Sequence, residues 1–580
     1  MSDSVQLSDQ FVVASALKSD PSGLVSKNKQ VVYVSDTNQG SYQSGEVLLD
    51  ITNQLTGSKG FASLREAYLT VPYVITARNT GANVMTRMSR FACTLKTGVW
   101  NVISDLQVEL NGKAILTSNE YKSFWNNLRA QTETSISDLD KHASETFLYP
   151  DSWASINFSD VAAGPGDGYA NNQINVLEKQ EDTLPQSQEH WAFNKGLFDK
   201  LVNNTPMIVD TTTNKTFGWA SMGKDACVQI SQQMARGAFV ENPGADAGVN
   251  AGIWIHMLKI RLADLHPLFK ELDCIANPQL KIRYRVNCGT VEIAGNATTM
   301  SLVSSTLTSG TVCPIMVASA AENCAMNGIL SNTAGSKVSF SFGVLRNAFT
   351  ETANIGQFLP YTTTRLHIPF YDLIDARQIV SKPVKTIRYL DCYAQYFKDL
   401  AGKAVQDQQH NAAFNFQLSA TLKNVKYVAL IPFAETSLGH WATAHGTQQF
   451  ASPFDSAPWT ALPGACIRNF QVQLGNQNVF AKSHEYDYES FCDEFAKLSA
   501  MNGDADRAMN TGLINLNQWS FANRIMIADC SRISNRDVPT SIQVSGINAC
   551  SQGMNILVLV AYERELEIDR LTGEVNSFTS

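Results

Sequence analysis

The sequence predicts an all-β chain built as two tandem β-sandwiches, with a few short covering helices and long loop insertions. Two observations carry this. Short β-rich runs separated by polar or glycine-containing turns dominate the 580 residues. Five short blocks recur in the same order, about 360 residues apart at the start and about 270 at the end. A period that long means a duplicated domain rather than a solenoid of repeats spanning ~20 to 50 residues each.

Taken along the chain, Glu46–Ile51, Tyr68–Ile75, Leu106–Leu110, Leu280–Val286, Lys337–Val344, Ala413–Ala420, Tyr427–Phe433 and Asn555–Tyr562 read as strands. Ala413–Ala420 alternates apolar and polar residues, the period of a half-buried strand. Asn111-Gly112 after the Leu106 strand is a strong turn pair, and Gly475-Asn476 stands in the same place in the second copy. Helices are few. Tyr121, Phe124, Trp125 and Leu128 fall at i, i+3, i+4 and i+7, and Tyr488, Phe491, Phe495 and Leu498 give a similar stripe. Both are expected to cover an end of a sandwich by core packing, and a short helix is expected around His266–Phe269. Many strands per unit make a sandwich or jelly roll the default.

The repeated blocks begin with Val31–Val34 matching Ile387–Leu390, and Ser63–Arg65, Tyr68 and Pro72-Tyr73 matching Thr421–Lys423, Tyr427 and Pro432-Phe433. Ile103–Leu110 matches Ile467–Leu474, each followed by Glu-Tyr (Glu120-Tyr121, Glu485-Tyr486). Trp254 through Asp264 matches Trp519 through Asp529, which implies equivalent core tryptophans. Leu280 through Ile293 is set against Leu557 through Ile568. Copy one carries about 100 extra residues, at about 130–250, rich in Gly, Asn, Asp, Ser and Thr. An insertion this long is tolerated at a surface. The expected division is an N-terminal arm over 1–28, a first sandwich over 29–335 and a second over 336–580.

Charged residues make up 17% of the chain, below the roughly 25% of an average globular protein. The net charge of −8 argues against nucleic-acid binding by bulk electrostatics. Met1 is not followed by a basic start and apolar stretch of the secretory kind. The longest clear apolar run, Ile556–Ala561, is far short of the ~20 residues of a membrane helix. Eleven cysteines without CxxC spacing read as reduced thiols packed as small apolar groups.

Catalytic patterns fail on context. Ser15-x-x-Lys18 with Lys96-Thr97-Gly98 mimics two β-lactamase motifs but lacks the third and the helical setting. Gly164-x-Gly166-x-Gly168 lacks the strand-to-helix context of a phosphate loop. His256 reads as a core residue, His266 lies ten residues on, and Asp138 and Asp140 read as solvated loop charges. No catalytic, cofactor-binding or metal-ligating residue is assigned, no cofactor is expected, and the chain is read as no enzyme.

The chain resembles the double jelly-roll major capsid proteins of polinton-like viruses and virophages over most of its length. The residues that carry this are Ser44–Asp50, Tyr68–Pro72, Lys96 through Gly112, Trp254 through Phe269, Arg365–Tyr371 and Lys385–Asp391. The resemblance implies homotrimeric, pseudo-hexagonal capsomers tiling the icosahedral shell of a DNA virus, assembled inside the host cell. It also implies a separate penton protein at the vertices and minor capsid partners. The alternative is a tandem β-sandwich protein that binds carbohydrate or a receptor, and a third reading is an enzyme whose site assembles from unrelated loops.

Overall fold

Two runs of eight strands, each pairing in the same order, organise the chain. The computed structural model describes most of residues 26–578. Residues 1–25, 38–44, 52–59, 82–92, 149–236, 242–247, 318–335, 345–362, 399–411, 435–448, 454–466, 502–511 and 549–553 lie outside the description, with a few shorter stretches. Most of the expected insertion at 130–250, nearly all of the expected arm at 1–28, and the Ser15/Lys18 and Gly164–Gly168 patterns fall there.

In the first sandwich the strands are β1 (Ser26–Ser35), β2 (Glu46–Asp50), β3 (Phe61–Ala62), β4 (Tyr68–Asn79), β5 (Cys93–Leu95), β6 (Ile103–Leu110) and β7 (Lys113–Leu116). Helices α1 (Ser123–Glu133) and α2 (Ile136–Thr146) follow. Then come β8 (Gly237–Glu241), β9 (Asn250–Arg261), the one-turn helices α3 (Leu262–Leu265) and α4 (Leu268–Glu271), β10 (Ile275–Ala276) and β11 (Leu280–Val286). The run ends with β12 (Gly289–Gly295), β13 (Met300–Ser305), β14 (Ile315–Val317), β15 (Ser336–Val344) and β16 (Arg365–Leu373). After the linking helix α5 (Arg377–Ser381), the second sandwich has β17 (Val384–Phe397), β18 (Ala412–Gln417), β19 (Val425–Ala434), β20 (Ile467–Leu474) and β21 (Gln477–Asn478). It closes with α6 (Tyr488–Met501), α7 (Leu516–Phe521), β22 (Met526–Asp529), β23 (Ile542–Asn548), β24 (Met554–Asp569) and β25 (Val575–Phe578).

In the second unit one sheet runs β17-β24-β19-β22 and the other β18-β23-β20-β21. Counting its strands one to eight, these orders are 1-8-3-6 and 2-7-4-5, the two interleaved Greek keys of a jelly roll. The first unit repeats them: β1, β16, β4 and β9 pair in one sheet, β2-β11-β6-β7 in the other. Its eighth strand is made of two pieces, because β15 and β16 both lie along β4. The hairpin β12–β13 extends the sheet beside β15. The fold is therefore a double jelly roll.

Alternation explains the layers. In β11 the burial pattern is BiBeBeB and in β23 BiBiBiB, so every second side chain enters the core. The β6–β7 hairpin turns on Asn111 and Gly112, with φ of 47° and 76°, as a type I′ turn requires.

Three sequence expectations are corrected. The division between sandwiches does not fall at 335/336: β15 and β16 complete the first unit's sheet, and the chain crosses over only after Leu373. Apolar alternation shows that a run is a strand, not which sheet it joins. Second, β11 and β24 are not counterparts: β11 lies between β2 and β6, so its partner in the repeat is β23. Third, the tryptophan block is out of step. Trp254 lies on β9 opposite Ile75, whereas Trp519 lies on α7. Tyr68 faces Arg261 and Tyr427 faces Asp529, although the block aligns Asp529 with Asp264. Both indoles are nonetheless 3% exposed.

Candidate functional site at the seam between the two sandwiches

Each sandwich pushes side chains into the other's core. Helix α1 carries Tyr121, Phe124, Trp125 and Leu128 on one face, and all four are buried. They belong to the hydrophobic cluster of the second sandwich, with Tyr396, Tyr427, Phe433 and Phe450. Tyr121 stacks on Tyr396 at 5.1 Å, and Phe124 meets Phe450 and Phe433 edge-on at 5.0 and 5.7 Å. Trp125 Nε1 donates to Tyr427 Oη at 2.8 Å. In return, Ile387, Tyr389, Leu566, Ile568 and Val575 of the second unit join the first unit's core. The expectation that this stripe is core packing holds, but the core it packs is largely the other sandwich's. Helix α6 packs instead against its own unit: Phe491 stacks on Trp519 at 6.2 Å, and Tyr486 donates to the Ile527 carbonyl at 2.6 Å.

Helix α1 is held to its own sandwich by Trp100, whose Nε1 donates to Asn127 Oδ1 at 2.7 Å. Gly98, at φ 94°, permits this seat; a Cβ there would stand 2.4 Å from the Trp100 ring.

A buried charge cluster sits in the seam. Asp391 on β17, 2% exposed, accepts hydrogen bonds from both units. Lys122, just before α1, pairs with its Oδ1. His266 Nε2 lies 3.3 Å from the same oxygen, and the Cys392 amide donates to it at 2.8 Å. Arg564 Nη1 donates to Oδ2 at 2.9 Å, with Tyr562 Oη at 3.4 Å. Two lysine and arginine cations on one carboxylate compensate its burial, as a buried charge requires.

The tautomer of His266 follows from its partners. The Leu268 amide donates to Nδ1 at 3.1 Å, so Nδ1 carries the lone pair and Nε2 carries the proton that reaches Asp391. Neutral His266 is thus fully satisfied. Burial, against the pull of Asp391, lowers its pKa to about 4, with Lys122 and Arg129 adding to the shift. Burial alone would raise Asp391, but Lys122 and His266 outweigh it and hold the carboxyl well below the usual range.

Two concavities flank α1 on the first sandwich. A cavity of about 40 Å³ lies beside Lys122, His266 and Asp105, room for about one water. A larger cleft of about 360 Å³ is lined by Trp100, Arg129, Glu133, Arg261, Asp264 and Lys270. Its charges pair mainly among themselves: Glu133 sits 3.4 Å from Arg129 and 3.5 Å from Lys270.

Among the described residues no group of three or more His, Cys, Asp or Glu side chains could hold a metal. No helix among them is long and apolar enough to cross a membrane. His256 is buried, edge-on to Phe147 at 5.7 Å, as expected of a core histidine. Asp138 is exposed, with its amide capped by Ser135 at the start of α2. Lys96 and the side chain of Asp140 lie outside the described residues. Sequence reasoning placed His266 beside the tryptophan block but missed its partnership with Asp391, 125 positions away.

No protein-family model and no curated protein matches the chain. Among solved structures, it is similar to a chain of the Sputnik virophage determined by electron cryomicroscopy, at 10% identity and a TM-score of 0.49, covering 97% of this chain and 91% of that one. It is also similar to the mavirus major capsid protein, at 10% identity and a TM-score of 0.38, covering 94% and 89%. A third likeness is to PBCV-1 VP54 fitted into a reconstruction of Sputnik, at 10% identity and a TM-score of 0.34, covering 95% and 97%.

Proposed function

We propose that this chain is a major capsid protein, a structural block of an icosahedral virion rather than an enzyme. The observation that carries the reading is the pair of jelly rolls with one strand order, fused by cores that interlock across a buried charge cluster. Such a chain is a rigid block with two similar sides. Three of them around an axis present six similar sides, which tile a curved sheet with closed symmetry. The sequence resemblance to double jelly-roll capsid proteins supports the same assignment. In this reading the working form is a homotrimer in a lattice of trimers, with a separate penton protein and minor capsid proteins as partners. The protein resides in the virion shell and assembles inside the host cell. Genome condensation falls to another component, since the net charge is −8.

The test is the state of the purified protein. Light scattering should give a trimer, and electron microscopy should show hexagonal plates or closed shells. A strict monomer at high concentration overturns the reading.

A further inference from the structure

The two sandwiches leave the outer face of the same sheet in different states. In the second, Cys392, Ala561 and Tyr427 form a row across β17, β24 and β19. Cys392 and Ala561 are 3% and 0% exposed, and α1 of the first sandwich reaches the row through Trp125 and Tyr427. In the first, the matching strands β1, β16 and β4 carry the row Tyr33, His367 and Tyr68. Their neighbours Val34, Leu366 and Leu69 are buried in the core, so alternation sends this row outward. Tyr33 is 54% exposed, and Val31 on the same face 52%.

This surface is ordered before anything binds it. His367 stacks on Tyr68 at 4.7 Å and lies 6.1 Å from Tyr33. Lys259 Nζ sits 4.5 Å over the Tyr68 ring, and the Arg365 guanidinium 4.5 Å over Tyr33. Aromatic and arginine side chains held this way are the usual anchors of protein interfaces. The surroundings are basic, with Lys29 and Arg261 nearby and Glu66 paired to Lys29.

We infer that the Tyr33–His367–Tyr68 row, with Lys259 and Arg365, is the surface on which the acidic start of α6 from a second copy of this chain docks. The contact inside the chain is the template. There, the segment opening α1 brings a cation, Lys122, to an anion on the second unit's sheet, Asp391. In the aligned segment opening α6 the residue matching Lys122 is Asp487, and it is exposed together with Glu485 and Glu489. The first unit's sheet face is correspondingly cationic, so a second sandwich meets the next chain's first sandwich with complementary charge. Repeating such a head-to-tail contact closes a ring when the rotation permits.

The inference rests on the reading of the chain as a self-assembling block, and the experiment separates the two. Association of the full-length protein is followed by light scattering across a concentration series, with thermal melting as a fold control. Tyr33→Ser with Lys259→Glu should melt like wild type yet need at least about tenfold more protein to associate. Adding Glu485→Lys and Glu489→Lys to that variant should restore most of the loss. If wild type assembles and the first variant assembles equally well, this face is not the contact and the inference fails while the capsid reading stands. If the first variant is impaired but the charge swap restores nothing, α6 is the wrong partner and the inference is again overturned. If wild type never associates, the capsid reading itself falls.

Discussion

The eighth strand is one continuous piece in the second sandwich, β24 over Met554–Asp569, and two pieces in the first, β15 and β16 with residues 345–364 between them. The helix after the fifth strand differs as well. Helix α6 stays with its own β22, while α1 is seated on Trp100 and plugs the neighbouring core. The first unit is thus the copy whose eighth strand is interrupted and whose helix enters the other core. A duplicated jelly roll keeps its strand order because the sheets need it. Its caps diverge in that only the first copy's helix is buried in the other sandwich's core.

The largest expected effect breaks the joint. Asp391→Ala leaves Arg564 buried and Lys122 half-buried around an empty site and should cost about 3–5 kcal/mol, measured by denaturant unfolding. If its stability matches wild type, the charge cluster does not hold the sandwiches together. Comparable losses are expected in the two copies themselves. Trp254→Ala and Trp519→Ala should each cost about 3–5 kcal/mol, although one indole sits on a strand and the other on a helix. Unequal losses would show how differently the two cores depend on one aromatic.

Acid should loosen the seam through His266. Its folded pKa of about 4 lies below the ordinary value of 6.5, so the unfolded chain takes up the proton first as pH falls. Stability from this group is full above about pH 6.5 and declines towards pH 4, by up to ~3 kcal/mol. Asp391, also depressed, adds its own loss only below the ordinary carboxylate range. His266→Gln should flatten the upper part of the stability-versus-pH curve, and an unchanged slope between pH 6.5 and 4 would remove His266 from the account. A smaller effect is expected at Gly546 on β23, where an added Cβ would lie 2.8 Å from Phe414 and 2.9 Å from Ile467. Gly546→Ala should cost ~1–3 kcal/mol by overpacking, read as a lowered melting temperature. Least of all, Lys29→Ala removes an exposed pair with Glu66 and should shift stability by no more than ~0.5 kcal/mol.

Much of the scaffold was legible because strands announce themselves locally. Leu280–Val286 reads as a strand and is one, residue for residue. Asn111-Gly112 reads as a turn because only left-handed backbone closes so tight a hairpin. The repeat was legible too, but its register was not. The tryptophan block aligns well in sequence and still falls on β9 in one copy and α7 in the other, because packing chooses the register and a short apolar pattern fits more than one. The candidate site was the least legible part. His266 and Asp391 are ordinary residues in their own neighbourhoods, and only the fold brings them within 3.3 Å.

By itself the sequence determined the two-fold repetition, by direct comparison of its copies, and the all-β class, the strands and turns, and the amphipathic stripe of α1, since each of these depends on residues close together along the chain. Only the tertiary structure decided that β15 and β16 belong to the first sheet and that α1's stripe fills the other sandwich. It also decided that four polar side chains distant in sequence, Lys122, His266, Asp391 and Arg564, meet and satisfy one another in the seam. Those outcomes turn on which surfaces exclude water from each other, and that is settled only when the whole chain has packed.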